Sequence, residues 1–528
     1  MKVTTLKQRV GSMLVVGFDG KVVDRHIKHM IHQYRVGGII LFGRNIGTPK
    51  EVLRLTTDLQ LEAEKAGYNT PLLICIDQEN GVVRRLGEGT TRFPGSMLIG
   101  ATQNPMNAYH VGKATGEELR ALGINWNLAP SVDVNSNPKN PVIGVRSYGE
   151  SADMVSAFSK ENIRGMKEAG ILSTIKHFPG HGDTEADSHL GLPVVPHTKS
   201  RLMNVELKPF IDCIEAGADA VMSAHIHLPS IQIEEGRPAT LSKSIITGLL
   251  RDELGFEGVV TTDCMEMDAI SKGIGTPQGG VEAIKAGVDL VMVSHTQGIQ
   301  EETIEAIVEA VKKGEITEGR VEESMKRIQK LKESSLSWNQ IETSIDVPSV
   351  VGCNEHRELA QRVFDEGVTL VHDIGILPLS QEHTVLVVYP QTSLLTQAED
   401  PAGNSTKLGD TAQSYSANVD VMQLNEPINA IDVSNVLKQA GDYDVVIVGT
   451  VSAKLESFQV ELINKLKEAK SPVIVVSTRN PYDVMRLSEV DAYITTYENT
   501  SAALETAVAG IYGETTLKGK LPVTLKSL

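Results

Sequence analysis

Eight short apolar runs limit what this chain can fold into. They fall at residues 13–18, 38–42, 72–76, 124–128, 171–175, 220–223, 258–262 and 290–293. Between and after them lie helix-like stretches at 49–66, 108–122, 151–169, 207–216, 242–253, 279–286, 301–313 and 321–332. Strand-length apolar runs alternating with helices are the mark of a parallel sheet, because each parallel connection needs a crossover and the crossover helices bury both sheet faces. Eight such units predict a (β/α)8 barrel of the TIM type. Ser151 and Ser242 stand where N-caps belong, and Gly67, Gly123, Gly170, Gly217, Gly255 and Gly287 stand where a glycine would close each helix.

The barrel does not use up the chain. At 528 residues it is too long for one hydrophobic core. After residue 332 the periodicity stops in a polar stretch, 334–352, and a second α/β unit follows. Its apolar runs lie at 368–372, 384–388, 444–448, 473–476 and 492–495, with helices near 355–367, 431–440, 457–469 and 501–512. Five strands among helices predict an open sheet covered on both faces. The division expected is therefore a barrel over 1–335, a linker over 336–350 and a smaller α/β domain over 351–528. The polar segment 399–418 is read as a surface excursion rather than a lid.

Charge and composition remove several classes of function. A formal net charge of -17 without a basic cluster argues against nucleic acid as a partner. No apolar stretch reaches the roughly 18 to 20 residues of a membrane span, so no membrane partner is expected. The N-terminus carries no apolar core of signal-peptide length, and a cytoplasmic location is expected. Cys75, Cys213, Cys264 and Cys353 lie far apart in sequence, with no C-x-x-C, and read as reduced packing residues.

A barrel carries its chemistry just past the C-terminal ends of its strands. The polar residues at those positions are Asp77, Asn127, Lys176 with His177, His225 with His227, Asp263 and His295. The richest stretch is 171–189, ILSTIKHFPGHGDTEADSH, in which a buried strand gives way to a loop holding three histidines after Lys176 and His177 are counted in. Asp263, ending the run GVVTT, is a carboxylate that can attack an electrophilic carbon if a second group protonates the leaving oxygen. His189 is the candidate for that group, with Asp187 able to orient its ring. As a spacing alone D-x-H carries little information, and its weight comes from the loop around it. Lys176 and His177 offer donors suited to sugar hydroxyls, and Asp77 can accept from two neighbouring hydroxyls. Arg85 and Arg146 are further candidates for holding polar substrate groups, although each taken singly fits a structural ion pair equally well.

The segments IDQENGVVRR, IGVRSYG, KHFPGHGDTEADSH and TTDCMEM resemble the motifs of glycoside hydrolase family 3, in its β-N-acetylglucosaminidase branch. RVFDEGVTLVHDIGILPL and GKLPVT are similar to parts of the family's C-terminal sandwich domain. The resemblance implies a retaining exo-acting enzyme, with Asp263 as nucleophile and His189 with Asp187 as acid/base dyad. It also implies that Asp77, Arg85, Arg146, Lys176 and His177 bind a terminal N-acetylglucosamine. The implied partner is a small N-acetylglucosamine-containing glycoside, such as a peptidoglycan-derived fragment or chitobiose. No cofactor and no metal is called for. Two local departures stand out: Asn80 occupies the place of a usual glycine, and Val82 that of a frequent arginine.

Three rival readings remain at this stage. Histidine as acid/base does not repel an incoming anion, so phosphate in place of water would make the chain a phosphorylase. The H-x-H of His225 and His227, with His177, His181 and Asp183, offers ligands for a metal-dependent amidohydrolase on the same barrel. That class usually carries its H-x-H after the first strand, whereas here it follows the sixth. A silent sugar-binding protein is the third reading, against which an intact Asp263 and Asp187-Ser188-His189 count.

Overall fold

The computed structural model describes residues 4–185, 191–232, 235–341, 344–391, 396, 398–399, 407–425, 427–453, 457–487 and 489–525. All eight expected strands are present: Leu14–Val16, Gly38–Leu41, Leu73–Ile76, Trp126–Asn127, Thr174–Phe178, Ala220–Ser223, Val259–Thr262 and Val291–Val293. The eighth, first, second, third and fourth strands form one parallel sheet, and the fifth, sixth and seventh form another. Parallel bridges close the ring, Trp126 with Leu172 and Ser131 with Lys176 on one side, Thr261 with Leu290 on the other. Every strand residue is buried, which explains why the strands read as continuous apolar runs rather than alternating ones.

Helix ends follow their local chemistry. Pro49–Ala66 starts on Thr48, whose hydroxyl accepts from Glu51 N while the Glu51 side chain reaches back, and it stops at Gly67 with φ 79°. Ser151 caps Ala152–Glu168 through Met154 N. The six glycines expected to close helices all have positive φ, from 69° to 117°. Ser242 does not cap. It follows the turn Ala239–Leu241, and its hydroxyl meets that of Ser244, where the helical segment Ser244–Glu253 begins.

The fifth strand differs from expectation in a way that matters. The apolar run 171–175 predicted a strand ending before Lys176, but the strand is Thr174–Phe178 and contains both Lys176 and His177. Ile175 pairs with Val221 and Phe178 with Ser223, so the fifth strand spends one residue more than the sixth over the same interval. That is a β-bulge, which re-aims a side chain and lets two consecutive residues look into the barrel mouth.

The C-terminal sheet has six strands rather than five. Their order is Thr369–Asp373, Ala492–Thr495, Val473–Ser477, Val445–Thr450, Val385–Pro390 and Val419–Leu424, with the first pair antiparallel and the rest parallel. The unexpected strand, VDVMQL, sits at the sheet edge, where Asp420 and Gln423 face solvent and interrupt the apolar run. Segment 399–418 includes the helix Leu408–Tyr415. The two parts of the chain are tied together by buried polar contacts. Glu118, on the barrel helix Pro105–Ala121, accepts from Thr91 N at 3.0 Å, Gly352 N at 3.1 Å and His356 Nδ1 at 2.9 Å. Glu498 accepts from Gly95 N at 2.7 Å. Among the described residues no helix is long and apolar enough to cross a membrane.

Candidate active site

The mouth of the barrel opens on a cavity of about 360 Å³. At its base lies a carboxylate that the sequence reading passed over. Glu79 takes two hydrogen bonds from Arg146, Nε at 2.8 Å and Nη2 at 2.7 Å, and its Oε1 is 2.6 Å from Lys176 Nζ. Lys176 also reaches Asp77 Oδ1 at 2.7 Å. Burial opposes the charge on Glu79, Arg146 and Lys176, yet the pairing outweighs it. Arg146 and Lys176 hold Glu79 well below the usual carboxylate range, while Asp77 and Glu79 hold Lys176 above its ordinary value. The result is a floor of interlocked ion pairs, with Asp77, the most exposed of the four, turned toward the cavity.

Glu79 sits on a short hairpin, Gln78–Asn80 with Val83–Arg84, that follows the third strand. Asn80 adopts φ 69°, the left-handed region that glycine or asparagine tolerates, so its departure from the family pattern leaves the turn intact. Its amide donates to Thr115 Oγ1 at 3.0 Å and its carbonyl accepts from Gln78 Nε2 at 3.1 Å. Arg84 turns away, donating to Thr90 Oγ1, whereas Arg85 lines the cavity.

His177 is held at both nitrogens: Nδ1 lies 2.7 Å from Asp133 Oδ2, an acceptor that places a hydrogen on Nδ1, and Nε2 lies 3.3 Å from Arg146 Nη2. Asp133 is fully buried and also accepts from Ser131 Oγ at 2.9 Å and from His181 N at 2.6 Å. Burial pushes its pKa up, but His177 and His181 bring it down to about 2. Burial and the neighbouring His177 drive His181 down to about 4, so this ring lines the cavity as neutral imidazole.

Asp263 follows the seventh strand and is partly exposed to the cavity. Its Oδ1 accepts from Cys264 N at 2.7 Å, and its own N–H donates to Ser223 O at 3.1 Å. Burial pushes the Cys264 thiol up to about 12, which suits a packing role. On the rim, the Phe42 and His295 rings lie 5.0 Å apart, and Arg44 stacks over Phe42 at 4.5 Å. The C-terminal part completes the wall: Arg85 Nη1 donates to Ala398 O at 2.7 Å, and Glu399, paired with Arg479 at 2.6 Å, lines the cavity. Segment 399–418 is therefore more than the surface excursion expected, because its first residue, Glu399, is buried in the cavity wall and paired there with Arg479 of the C-terminal part.

Of the residues singled out in the sequence, Asp77, Arg85, Arg146, Lys176, His177 and Asp263 gather around this one cavity. Asp187 and His189 lie outside the described residues. Asn127 instead braces the hairpin, exchanging bonds with Gln78 N and O at 3.0 and 3.1 Å. The ligand set of the amidohydrolase reading does not assemble. His225 is bound to Thr240 Oγ1 and Cys264 O, His227 to Gln232 and Arg237 O, and Asp183 to His197. A different group, Asp183, His197 and Glu206, brings its possible ligand atoms within 4.8 Å, and the Arg201 guanidinium already lies against both carboxylates. Glu79 and Asp133 had faint signals in the sequence. One is two residues beyond Asp77, and the other follows the fourth strand in LAPSVDVN.

A closed (β/α)8 barrel whose strand ends surround a sugar-sized cavity with five carboxylates and four cationic side chains defines a glycoside-hydrolase-like barrel enzyme. Comparison with known proteins gives the particular family. The description "Glycosyl hydrolase family 3 N terminal domain" matches residues 5–331, and "Glycosyl hydrolase family 3 C-terminal domain" matches 368–527. The chain belongs to glycosyl hydrolase family 3. It is similar to a β-N-acetylglucosaminidase of that family from Paenibacillus sp. str. FPU-7, with 39% identity and a TM-score of 0.93 over 100% of both chains. It is 37% identical to "Beta-hexosaminidase A" of Pseudoalteromonas piscicida over 68% of this chain, an alignment that spans 63% of that relative. A "Beta-hexosaminidase" of Stenotrophomonas maltophilia is 35% identical over 55% of this chain and 85% of its own length.

Proposed function

We propose that this protein is a retaining exo-β-N-acetylglucosaminidase that releases terminal N-acetylglucosamine from small glycosides. The observation that carries the reading is Asp263 on the same cavity as the ion-paired array of Asp77, Lys176, Glu79 and Arg146. In this reading the array takes the hydroxyls of one sugar. Arg85 and His177 complete the binding set, and the volume of about 360 Å³ accommodates one ring with its acetamido group. Resemblance to proteins named β-hexosaminidase and β-N-acetylglucosaminidase supports the choice of sugar.

The reaction runs in two displacements. Asp263 attacks the anomeric carbon as the bond to the glycosidic oxygen breaks, and that oxygen takes a proton from His189. A glycosyl-aspartate results. Neutral His189, steadied by Asp187, then removes a proton from water as the water oxygen bonds to the same carbon, releasing sugar with retained configuration and regenerating the Asp263 carboxylate. Residues 1–335 form the catalytic barrel in this proposal, 336–350 the linker and 351–528 the second domain. Peptidoglycan-derived fragments or chitobiose in the cytoplasm are the substrates we assign.

Hydrolysis of para-nitrophenyl N-acetyl-β-glucosaminide tests the reading. Release of nitrophenol that persists in EDTA and is lost in Asp263→Ala supports it. In His189→Ala the nucleophile remains and so good a leaving group needs less protonation, so a smaller loss is expected. Formation of sugar 1-phosphate on adding phosphate would replace water with phosphate as acceptor. No release by the wild type, or loss of release to EDTA, would overturn the proposal.

A further inference from the structure

The second domain reaches the barrel directly behind the hairpin that carries Glu79. Its strand Ala492–Thr495 ends in a tight turn, in which Thr496 Oγ1 donates to Glu498 O at 2.9 Å. Tyr497 takes φ 60° there, a left-handed conformation costly for a bulky residue, and its hydroxyl lies 2.7 Å from that of Thr369. The turn aims the buried Glu498 carboxylate at the barrel. Oε1 accepts from Thr500 Oγ1 at 2.9 Å, and Oε2 accepts from Gly95 N at 2.7 Å. Burial pushes its pKa up to about 7, although the Gly95 N–H, Thr500, Arg479 and Arg92 pull the other way.

Gly95 in turn lies against Gly81, the turn of the hairpin Gln78–Asn80 with Val83–Arg84. No side chain fits between them. A Cβ on Gly81 would meet Gly95 Cα at 2.6 Å and Glu498 Oε2 at 3.0 Å, and one on Gly95 would meet Gly81 Cα at 3.0 Å. Gly81 N also donates to Phe93 O at 3.3 Å. The barrel ties the hairpin through Asn127 and Thr115, and Glu498 closes over its tip from the other side. Glu79, Arg146, Gly81, Gly95 and Glu498 line one small void, which places Glu498 one layer behind the floor of the sugar cavity.

We propose that Glu498 is a positioning residue for the sugar-binding site: by fixing Gly95 against Gly81, it sets where the hairpin presents Glu79 and Arg85. This rests on the functional reading above. Glu498 does not line the cavity, so it acts through the hairpin and not on the substrate. Asp263 is held by separate contacts, to Ser223 O and Cys264 N, and keeps its place when Glu498 changes.

The test measures kcat and KM on para-nitrophenyl N-acetyl-β-glucosaminide, and the inhibition constant of free N-acetylglucosamine, in Glu498→Ala, Glu498→Asp and Glu498→Gln. For Glu498→Ala we expect KM and the inhibition constant to rise about 10-fold and kcat to stay within about 3-fold of wild type, because misplaced binding groups weaken the hold on the sugar. A merely structural defect would remove folded molecules, lowering the apparent kcat and leaving both other constants alone. Glu498→Asp, one methylene shorter, carries the same test should the alanine variant not fold, with an expected rise of about 3-fold. Glu498→Gln, whose amide oxygen accepts from Gly95 and whose NH2 donates to Thr500, should recover most of the lost affinity. Unchanged KM and inhibition constant in the folded alanine or aspartate variant would overturn the proposal, as would a glutamine variant no better than the alanine one. Failure of the wild type to cleave the substrate would instead overturn the functional reading, and the positioning role with it.

Discussion

Lys176 Nζ lies 2.6 Å from Glu79 Oε1, with 1% and 4% of the two side chains exposed. The carboxylate is shared with Arg146, so it neutralises two buried cations at once. Removing its charge in Glu79→Gln would leave both cations under-compensated, a defect that costs about 3 to 5 kcal/mol at buried pairs. We expect a large fall in thermal stability, read by calorimetry, and a KM raised at least about tenfold as Lys176 loses its position.

Asp133 makes an acid-sensitive contribution. Its pKa falls from 3.8 unfolded to about 2 folded, so the unfolded state takes up the proton first as pH drops. The stabilisation, about 2 kcal/mol, is therefore complete above the unfolded value and is lost as pH falls through the folded one. Urea unfolding between pH 5 and 2 should show a shallower pH dependence in Asp133→Asn than in the wild type. The same variant should lower kcat/KM at neutral pH by about 10-fold or more, since His177 loses the charged partner that fixes its protonated nitrogen.

Glu399 offers a test of the second domain's part in the site. Its carboxylate is paired with Arg479, and both side chains are largely buried where the segment reaches the cavity wall. Glu399→Ala leaves the guanidinium without that partner and loosens the stretch that receives Arg85 at Ala398 O. The expected outcome is a raised KM with kcat less affected, measured on the same nitrophenyl substrate. An unchanged KM would mean that this wall does not contact the sugar.

At Asn80 the backbone itself is the constraint. An L-residue other than asparagine or aspartate pays about 1 kcal/mol or more at φ 69°, while glycine does not. Asn80→Gly and Asn80→Ala both lose the hydrogen bond to Thr115, so the difference between their melting temperatures isolates the conformational cost. Asn80→Gly should be the more stable of the two.

The barrel was readable because its strands are buried on both faces, and burial on both faces writes an uninterrupted apolar run into the sequence. The edge strand Val419–Leu424 was not readable for the same reason reversed: half of it faces water, and its polar residues break the run. Asp77 and Asp263 were found because they follow strands, where a barrel puts its chemistry, and Lys176 and His177 because they end an apolar run, although the strand itself extends through them. Glu79 and Asp133 were missed because their importance lies in what they touch: Arg146 is 67 positions from Glu79 and His177 is 44 from Asp133. No local pattern encodes such distances. Ser242 misled because its hydroxyl had a second partner in Ser244 that spacing alone does not reveal.

The bulge in the fifth strand has a consequence for how such a pocket can change. Substitution alters what a given position presents to the cavity, but the positions that look inward are counted out by the strand. Deleting one residue between Ile175 and Phe178, with every neighbour kept, would restore the ordinary alternation and turn either the ammonium or the imidazole to the outside of the barrel. The extra residue and the inward aim of both polar side chains therefore stand or fall together, and a chain without the bulge would have to line this side of the cavity from a different strand.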